Sequence, residues 1–363
     1  LSAELQLEKS DWNPATFGDV AKEVRQSTKD PVADGIERVV GLEHIEPESI
    51  HLRNWASIDE GTTFTKTFRK GHVLFGRRRA YLKKAAQAKF NGICSGDITV
   101  MEAKEELLPE LLPFLVNNDK FFDYAVQHSA GGLSPRTKFK DLSNYEFLLP
   151  PKDQQTKLAG LLWSTDEAIQ KATLLSASHL AARSALLKEV FSRSKDTVPI
   201  GEVVKLSSGK SRPKDLADEP LNEHVHPVYG GNGIIGYATE PNVSEATIVL
   251  GRVGEYCGVV HDTRGPSWIS DNALYVKEWK LPINRIYVSR FFEFLDLNKQ
   301  QTGGGQPLIT QSLVCRNNIP IPSPDRIAEA VKRIDQLESN QLRIKDQISH
   351  SKHLLKSLIN QIF

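Results

Sequence analysis

The chain has 363 residues, 39% of them hydrophobic and 25% charged, with a formal net charge of +1. Such a length predicts two or more cores, each stable without staples, and the composition excludes a disordered chain. No run of about 18 apolar residues is present to span a membrane, and the scattered Cys94, Cys257 and Cys315 form neither a zinc pattern nor a disulfide framework.

Residues 1–10 read as an N-terminal segment. It lacks the basic start and apolar run of a secretory leader, the C-terminus has no lipidation box, and a reducing cytoplasm is expected. Residues 11–150 read as a mixed domain of short strands and turn-rich loops. Its markers are FGDVAK at 17–22, VLFGR at 73–77, a Ser-Gly-Asp segment ending in ITVM, Gly131-Gly132-x-x-Pro135, and FLLPPKD at 147–153. Between residues 61 and 96 there is no acidic residue, and Arg69, Lys70, Arg77, Arg78, Arg79, Lys83 and Lys84 alternate with Phe64, Phe68, Phe75 and Tyr81. That pattern suits a phosphate-rich surface. Arginines at a strand end offer planar two-donor forks to guanine edges, whereas lysines act as point charges; the competing account is ordinary surface charge.

A long helix is expected over 154–192, within a spacer at 151–193, and a second mixed domain over 194–324. The second domain repeats the first: IGEVVK at 200–205 matches FGDVAK at an offset of 183, IVLGR at 248–252 matches VLFGR, and Ser270-Asp271-Asn272 followed by ALYV matches the segment ending in ITVM. Gly303-Gly304-x-x-Pro307 and IPIPSPD at 319–325 follow at an offset of 172, which holds to LINQIF at 358–363 against LLKEVF at 186–191. The helical part of the repeat therefore has equal length in both copies, while the domains differ. In the second domain the basic residues are Lys205, Lys210, Arg212 and Lys214, with Arg252 at the site equivalent to Arg77, and acids follow at once at 215, 218 and 219. The glycine pairs at Gly131 and Gly303 are expected either to let the backbone approach DNA or to make tight turns at the domain–helix junction, the junction being favoured since proline follows closely.

The closing helix, over 324–363 within a spacer at 325–363, carries a heptad seam. Ile327, Ile334, Gln341, Ile348, Leu355 and Ile362 occupy one core position, and Ala330, Leu337, Ile344, Ser351 and Leu358 the other. Moved back by 172 residues the seam becomes Leu158, Leu162, Thr165, Ile169, Ala172, Ser176, His179, Arg183, Leu186 and Val190, polar at its centre. Helices of about 55 Å need a partner. Antiparallel pairing is expected, with an approximate internal two-fold axis and residues 1–7 packed on the returning end.

Other motifs carry little. GGNGIIG contains Gly231-x-Gly233-x-x-Gly236 but precedes YATEP rather than a helix, so a turn between strands is expected instead of a dinucleotide site. There is no NPPY or DPPF string for amino-methyl transfer and no GxxxxGK[ST] loop, and His224 and His226 lack further metal ligands. Catalytic, cofactor and metal residues are therefore expected to be absent.

Two unlike domains, each ending in an apolar-proline segment that opens a long helix (FLLPPKDQQTKLAGLL and IPIPSPDRIAEAV), resemble type I restriction-modification specificity subunits. HPVYGGNGIIGYA, ATIVLGRVGEYCGVV, SDNALYVK and TGGGQPLIT are similar to that family too, and the resemblance covers nearly the whole chain. It implies an α+β fold of two target-recognition domains joined by two long helices in an antiparallel coiled coil. Each domain would read one half of a bipartite double-stranded DNA site, with the helices setting the gap. Two methyltransferase subunits would bind around them, restriction subunits would join the full complex, and S-adenosylmethionine would belong to the methyltransferase. The helix openings, Lys-Asp-Gln-Gln and Ser-Pro-Asp-Arg, depart from the family's Pro-x-x-Glu-Gln. The alternatives are a specificity subunit of a related type II (IIB- or IIG-like) system, a coiled-coil interaction scaffold that binds no DNA, and a nuclease or fused methyltransferase.

Overall fold

The computed structural model describes residues 7–192, 196–300 and 307–363. The chain divides into two compact units, Leu1–Thr173 with Asp346–Phe363, and Leu174–Lys345.

In the first unit the strands are β1 (Asn13–Thr16), β2 (Ala21–Glu23), β3 (Arg38–Val40), β4 (Ala56–Ser57), β5 (Lys66–Phe68), β6 (Val73–Gly76), β7 (Ala85–Gln87), β8 (Gly92–Cys94), β9 (Ile98–Ala103) and β10 (Glu146–Leu149). Short helices α1 (Phe17–Val20), α2 (Leu112–Leu115), α3 (Asp119–Gln127) and α4 (Phe139–Leu142) precede the long α5 (Lys152–Ser192). In the second unit follow β11 (Thr197–Pro199), α6 (Ile200–Val203), β12 (Val204–Ser208), β13 (His226–Gly230), β14 (Gly233–Ala238), β15 (Ile248–Gly251), β16 (Val260–Asp262), β17 (Trp268–Ile269) and β18 (Ala273–Trp279). It closes with α7 (Arg285–Phe294), α8 (Gln311–Cys315), β19 (Asn318–Pro320) and the long α9 (Pro324–Ile362).

The two units share one topology. An antiparallel sheet ordered β2-β9-β6-β7 in the first corresponds to β12-β18-β15-β16 in the second. A second sheet, β4-β3-β8-β5, corresponds to β14-β13-β17, and the middle pairs β3–β8 and β13–β17 are parallel in both. The strand β5, in the acid-free stretch, is the addition in the first unit. FGDVAK and IGEVVK thus become α1 with β2 and α6 with β12, and VLFG and IVLG become the buried strands β6 and β15. In each unit a two-stranded ribbon, β1–β10 or β11–β19, ties the beginning of the domain to the strand just before the long helix.

The helix starts follow from local chemistry. Pro324 opens α9, where a missing amide donor costs nothing. In α5 the fully enclosed Gln155 donates to Pro150 O at 2.9 Å and to Glu106 O at 3.0 Å while accepting from Leu108 N at 2.9 Å. These bonds lock the helix start to its own domain.

The heptad seam faces inward. Ile327, Ile334, Gln341, Ile344, Leu358 and Ile362 are buried, as are Leu158, Leu162, Ile169 and Leu186 on α5, and Leu337, Ile348 and Leu355 are half-buried. Within the second unit the helix segments run antiparallel: Gln341 Nε2 donates to Ser176 Oγ at 2.7 Å and Arg333 approaches Glu189 at 3.7 Å. Within the first, Leu158 and Leu162 share a core with Leu358, Ile359, Ile362 and Phe363. Leu7 packs on that core and Lys9 Nζ donates to Gln361 O at 2.6 Å, while the rest of the expected apolar start lies outside the described residues. Among the described residues, no helix is long and apolar enough to cross a membrane.

Candidate nucleic-acid interface

The arginine turns at the ends of β6 and β15 are built by one set of main-chain bonds. In the first unit Arg77 N donates to Asp97 O at 3.0 Å, Thr137 N to Arg77 O at 2.9 Å, and Arg79 N to Pro135 O at 2.9 Å. In the second, Arg252 N donates to Asn272 O at 2.9 Å, Ile309 N to Arg252 O at 2.9 Å, and Gly254 N to Pro307 O at 3.0 Å. The residue two places after the arginine, Arg79 or Gly254, has φ of +54° or +82°. Glycine reaches that left-handed region without cost, and arginine is strained there.

The glycine before each arginine is required by crowding. A Cβ on Gly251 would lie 2.2 Å from Gly231 O, and one on Gly76 3.0 Å from the Leu42 side chain and 3.2 Å from Lys84 O.

These bonds correct the expectation for the glycine pairs. The segment after Gly131 is a loop closed by an Ala130–Arg136 bridge and joined to Arg78 by a second bridge, with α4 and β10 still to come before α5. It is therefore a wall of the arginine turn, not the domain–helix junction, because its Pro135 carbonyl accepts from the Arg79 amide and the Thr137 amide that follows it donates to the Arg77 carbonyl. Gly303 and Gly304 lie outside the described residues, but Pro307 and Leu308 pair with the second arginine turn in the same way.

The acid-free stretch does not form one surface. Arg69 and Lys70 are exposed in the turn before β6, and Arg77, Arg78 and Arg79 follow its far end, about 13 Å away at strand rise. Arg77 and Arg78 are half-buried, each with an enclosed Nε that has no hydrogen-bond partner among the described residues, and Arg79 is exposed. Lys83 reaches Asp119 at 2.5 Å and Lys84 donates to Leu42 O at 2.7 Å, so both ammoniums have internal partners. Phe68 and Phe75, expected to interleave with the cations, are buried in two separate cores; Tyr81 stays exposed beside the turn.

In the second unit, Lys210 and Arg252 come together at the start of β18. Lys210 N donates to Ile269 O at 3.0 Å, and Arg252 Nη1 reaches Ser208 Oγ at 3.4 Å while its Nε is enclosed without a partner, as in Arg77. Arg212 and Lys214 are exposed on the loop that follows, and the acids near them are partly engaged, Asp215 with His224 at 3.1 Å. GGNGIIG forms the β13–β14 hairpin and leads into no helix. Lys205 meets Glu278 at 3.8 Å on the neighbouring strand.

One residue of this surface was absent from the sequence-based set. Arg136, three residues past the exposed loop tip at Leu133, stands against Asp97, whose carboxyl is held below its ordinary range by the Arg136 hydrogen bond against the desolvation that opposes it. The only signal for it in the sequence is its place directly after Gly-Gly-x-x-Pro.

Residues 193–350 match the profile of the type I restriction modification DNA specificity domain. Two Escherichia coli proteins are similar in sequence: the type I restriction enzyme EcoprrI specificity subunit, 25% identical over 39% of this chain and 36% of its own length, and the type I restriction enzyme EcoDI specificity subunit, 27% identical over 32% and 27%. The matched part thus spans about a third of these relatives. Among solved structures, the S subunit of a type I restriction-modification system from M. genitalium has the same fold, with a TM-score of 0.65, 16% identity and coverage of 99% of this chain and 98% of its own. A chain from a type I R-M system, solved for its complex assembly and conformational transition, covers 97% and 96% with a TM-score of 0.61 and 19% identity. One domain topology is used twice in the chain, and each copy leads into a long helix. Residues 193–350 thus match the DNA specificity domain of type I restriction-modification systems, and over nearly its whole length the chain has the fold of the M. genitalium S subunit.

Proposed function

We propose that this chain is the DNA sequence-specificity subunit of a type I restriction-modification complex. Residues 11–150 and 194–324 act as its two target-recognition domains, each reading one half of a bipartite site. The helical segments 151–193 and 325–363 set the gap and dock two methyltransferase subunits, which restriction subunits join in the full complex; residues 1–10 are an N-terminal segment ahead of the first domain. The observation that carries this reading is the duplicated arginine turn: Arg77 and Arg252, with the same backbone bonds, end the same strand in two unlike domains. One frame with different side chains suits two readings of unlike half-sites.

The chain is a non-catalytic subunit in this reading, and the methyl donor S-adenosylmethionine binds to its partner. Arg77, Arg78, Arg79, Lys210 and Arg252 form the nearest DNA contacts, Arg69, Lys70, Arg212 and Lys214 lie further along the surface, and Lys83 and Lys84 brace the first turn from within. Co-expression with a type I methyltransferase subunit and genome-wide mapping of methylated bases tests this. A split motif with a fixed gap is expected, with Arg77→Ala and Arg252→Ala each relaxing a different half by about 1–3 kcal/mol. Methylation of one continuous site, or no association with the partner, refutes it.

A further inference from the structure

The Asp97 carboxylate holds two arginines of the first unit in different ways. Arg136 lies side-on against it, Nε donating to Oδ1 at 2.7 Å and Nη2 to Oδ2 at 3.5 Å. Arg78 reaches it through Nη1 at 3.4 Å and donates from Nη2 to Ser134 Oγ at 3.0 Å. A side-on contact occupies the guanidinium edge that contains Nε. It leaves the outer edge of Arg136, formed by Nη1 and the second proton of Nη2, without a partner among the described residues. Arg136 is 46% exposed, so this edge is open to a ligand.

Two parallel donors on a fixed plane match the O6 and N7 acceptors of guanine in the major groove. The backbone is fixed as well: Arg136 exchanges main-chain bonds of 2.9 and 3.0 Å with Ala130 and pairs with Arg78. A contact meant only for phosphate needs charge and little orientation. Here two arginines and one carboxylate sum to a charge of only +1, and what the arrangement adds is direction. The second unit carries Val253, Asn272 and Leu308 at the three matching backbone positions, so the fork is particular to the first unit.

We propose that Arg136 reads a guanine in the half-site of the first domain, with Asp97 as its positioning residue and Arg78 bracing Asp97 from the other side. The proposal rests on the DNA-specificity reading above. Its test is selection of bound sequences from a randomised duplex library by the full chain in complex with its methyltransferase subunit, comparing wild type with Arg136→Lys and Asp97→Asn. Arg136→Lys keeps the charge but not the fork. It is expected to lose preference for guanine at one position of one half-site by about tenfold or more while the other half-site is unchanged. Asp97→Asn, nearly isosteric, is expected to weaken the same position and no other. A split motif whose guanine preference survives both substitutions, or losses spread evenly over all positions, overturns the fork while leaving the specificity reading intact. A wild-type complex that selects no split motif overturns that reading and the fork with it.

Discussion

Gly251 closes β15 directly before Arg252, and a methyl group there would lie 2.2 Å from Gly231 O and 2.5 Å from Tyr256 O. Carbon contacts become comfortable only beyond about 3.4 Å, so Gly251→Ala overlaps both atoms by roughly 1 Å. Neither obstacle is a side chain that can rotate away. Both are main-chain carbonyls, and the strand end is itself pinned by Gly258 N donating to Gly251 O at 2.7 Å and Gly251 N to Val259 O at 2.8 Å. The hairpin apex and the turn after Arg252 must therefore separate from the strand, at a cost of about 3 kcal/mol, the upper end of ordinary overpacking. Gly254→Ala is the control. Its Cβ would meet nothing within 4 Å, and only the φ of +82° penalises it, by about 1 kcal/mol. Denaturant unfolding of the full chain, followed by hydrogen exchange of residues 248–262 and 73–87, separates the outcomes. Gly251→Ala is expected to lose protection at 248–262 at much lower denaturant than wild type, with 73–87 unaffected, and Gly254→Ala to shift slightly. Equal protection in Gly251→Ala and wild type would refute the reasoning.

The helix seam and the ion pairs around it give further tests. Ile334, fully buried beside Leu186 and Leu187, is expected to cost about 2–5 kcal/mol on substitution to alanine, measured by urea unfolding of the second unit. Arg183 donates through Nε and Nη2 to Glu338 Oε1 at 3.0 and 2.7 Å and also pairs with Glu293, while Arg290 holds the same two carboxylates at 2.6 and 2.9 Å; Arg183→Met therefore removes one of two shared cations, and a loss of about 1 kcal/mol is expected in the same measurement. Asp119, opposed by desolvation but hydrogen-bonded by Lys83, Asn360 and Lys356, is held down to about 2 from its ordinary 3.8. Because the folded value is depressed, its contribution is complete above 3.8 and is lost as pH falls through about 2. Asp119→Asn is expected to lower the stability of the first unit at neutral pH and to make its acid-induced loss across that window shallower than in wild type, as followed by hydrogen exchange of α3.

Periodicity and repetition made the architecture legible. The offset of 172 residues carries Leu186 onto Leu358, and both are buried where the seam requires. The polar centre of the first seam is explained by distant partners: Ser176 accepts from Gln341, and Arg183 answers Glu338 of α9 and Glu293 of α7. These partners are over 100 residues away, and no local pattern announces them. The interface was legible in part for the same reason. A run without acids located the basic segment, yet it could not tell Arg79, which is exposed, from Lys83 and Lys84, which the fold turns inward. Nor could it include Arg136, which reaches the turn only because the loop after Gly131 folds back onto the end of β6. The Gly131–Gly132 pair lies at the arginine turn and not at the helix junction, because the Pro135 carbonyl that caps the Arg79 amide comes from a loop no local pattern brings there.

The arginine turn is held by main-chain atoms, and that has a consequence for how such a domain can vary. Asp97 and Asn272 offer the same carbonyl to Arg77 and Arg252, while Arg78 and Arg136 occupy the bridge that Val253 and Leu308 form in the second unit. None of these bonds depends on a side chain, so charged, amide and aliphatic residues share the frame without disturbing it. The seam allows no such freedom: Ile334 and Leu358 are enclosed, and a change of even one methylene there is felt as a packing defect. A constant offset along the two long helices beside unequal domains follows from this division, since the buried seam penalises insertion at every turn whereas a main-chain frame tolerates new side chains and longer loops around it.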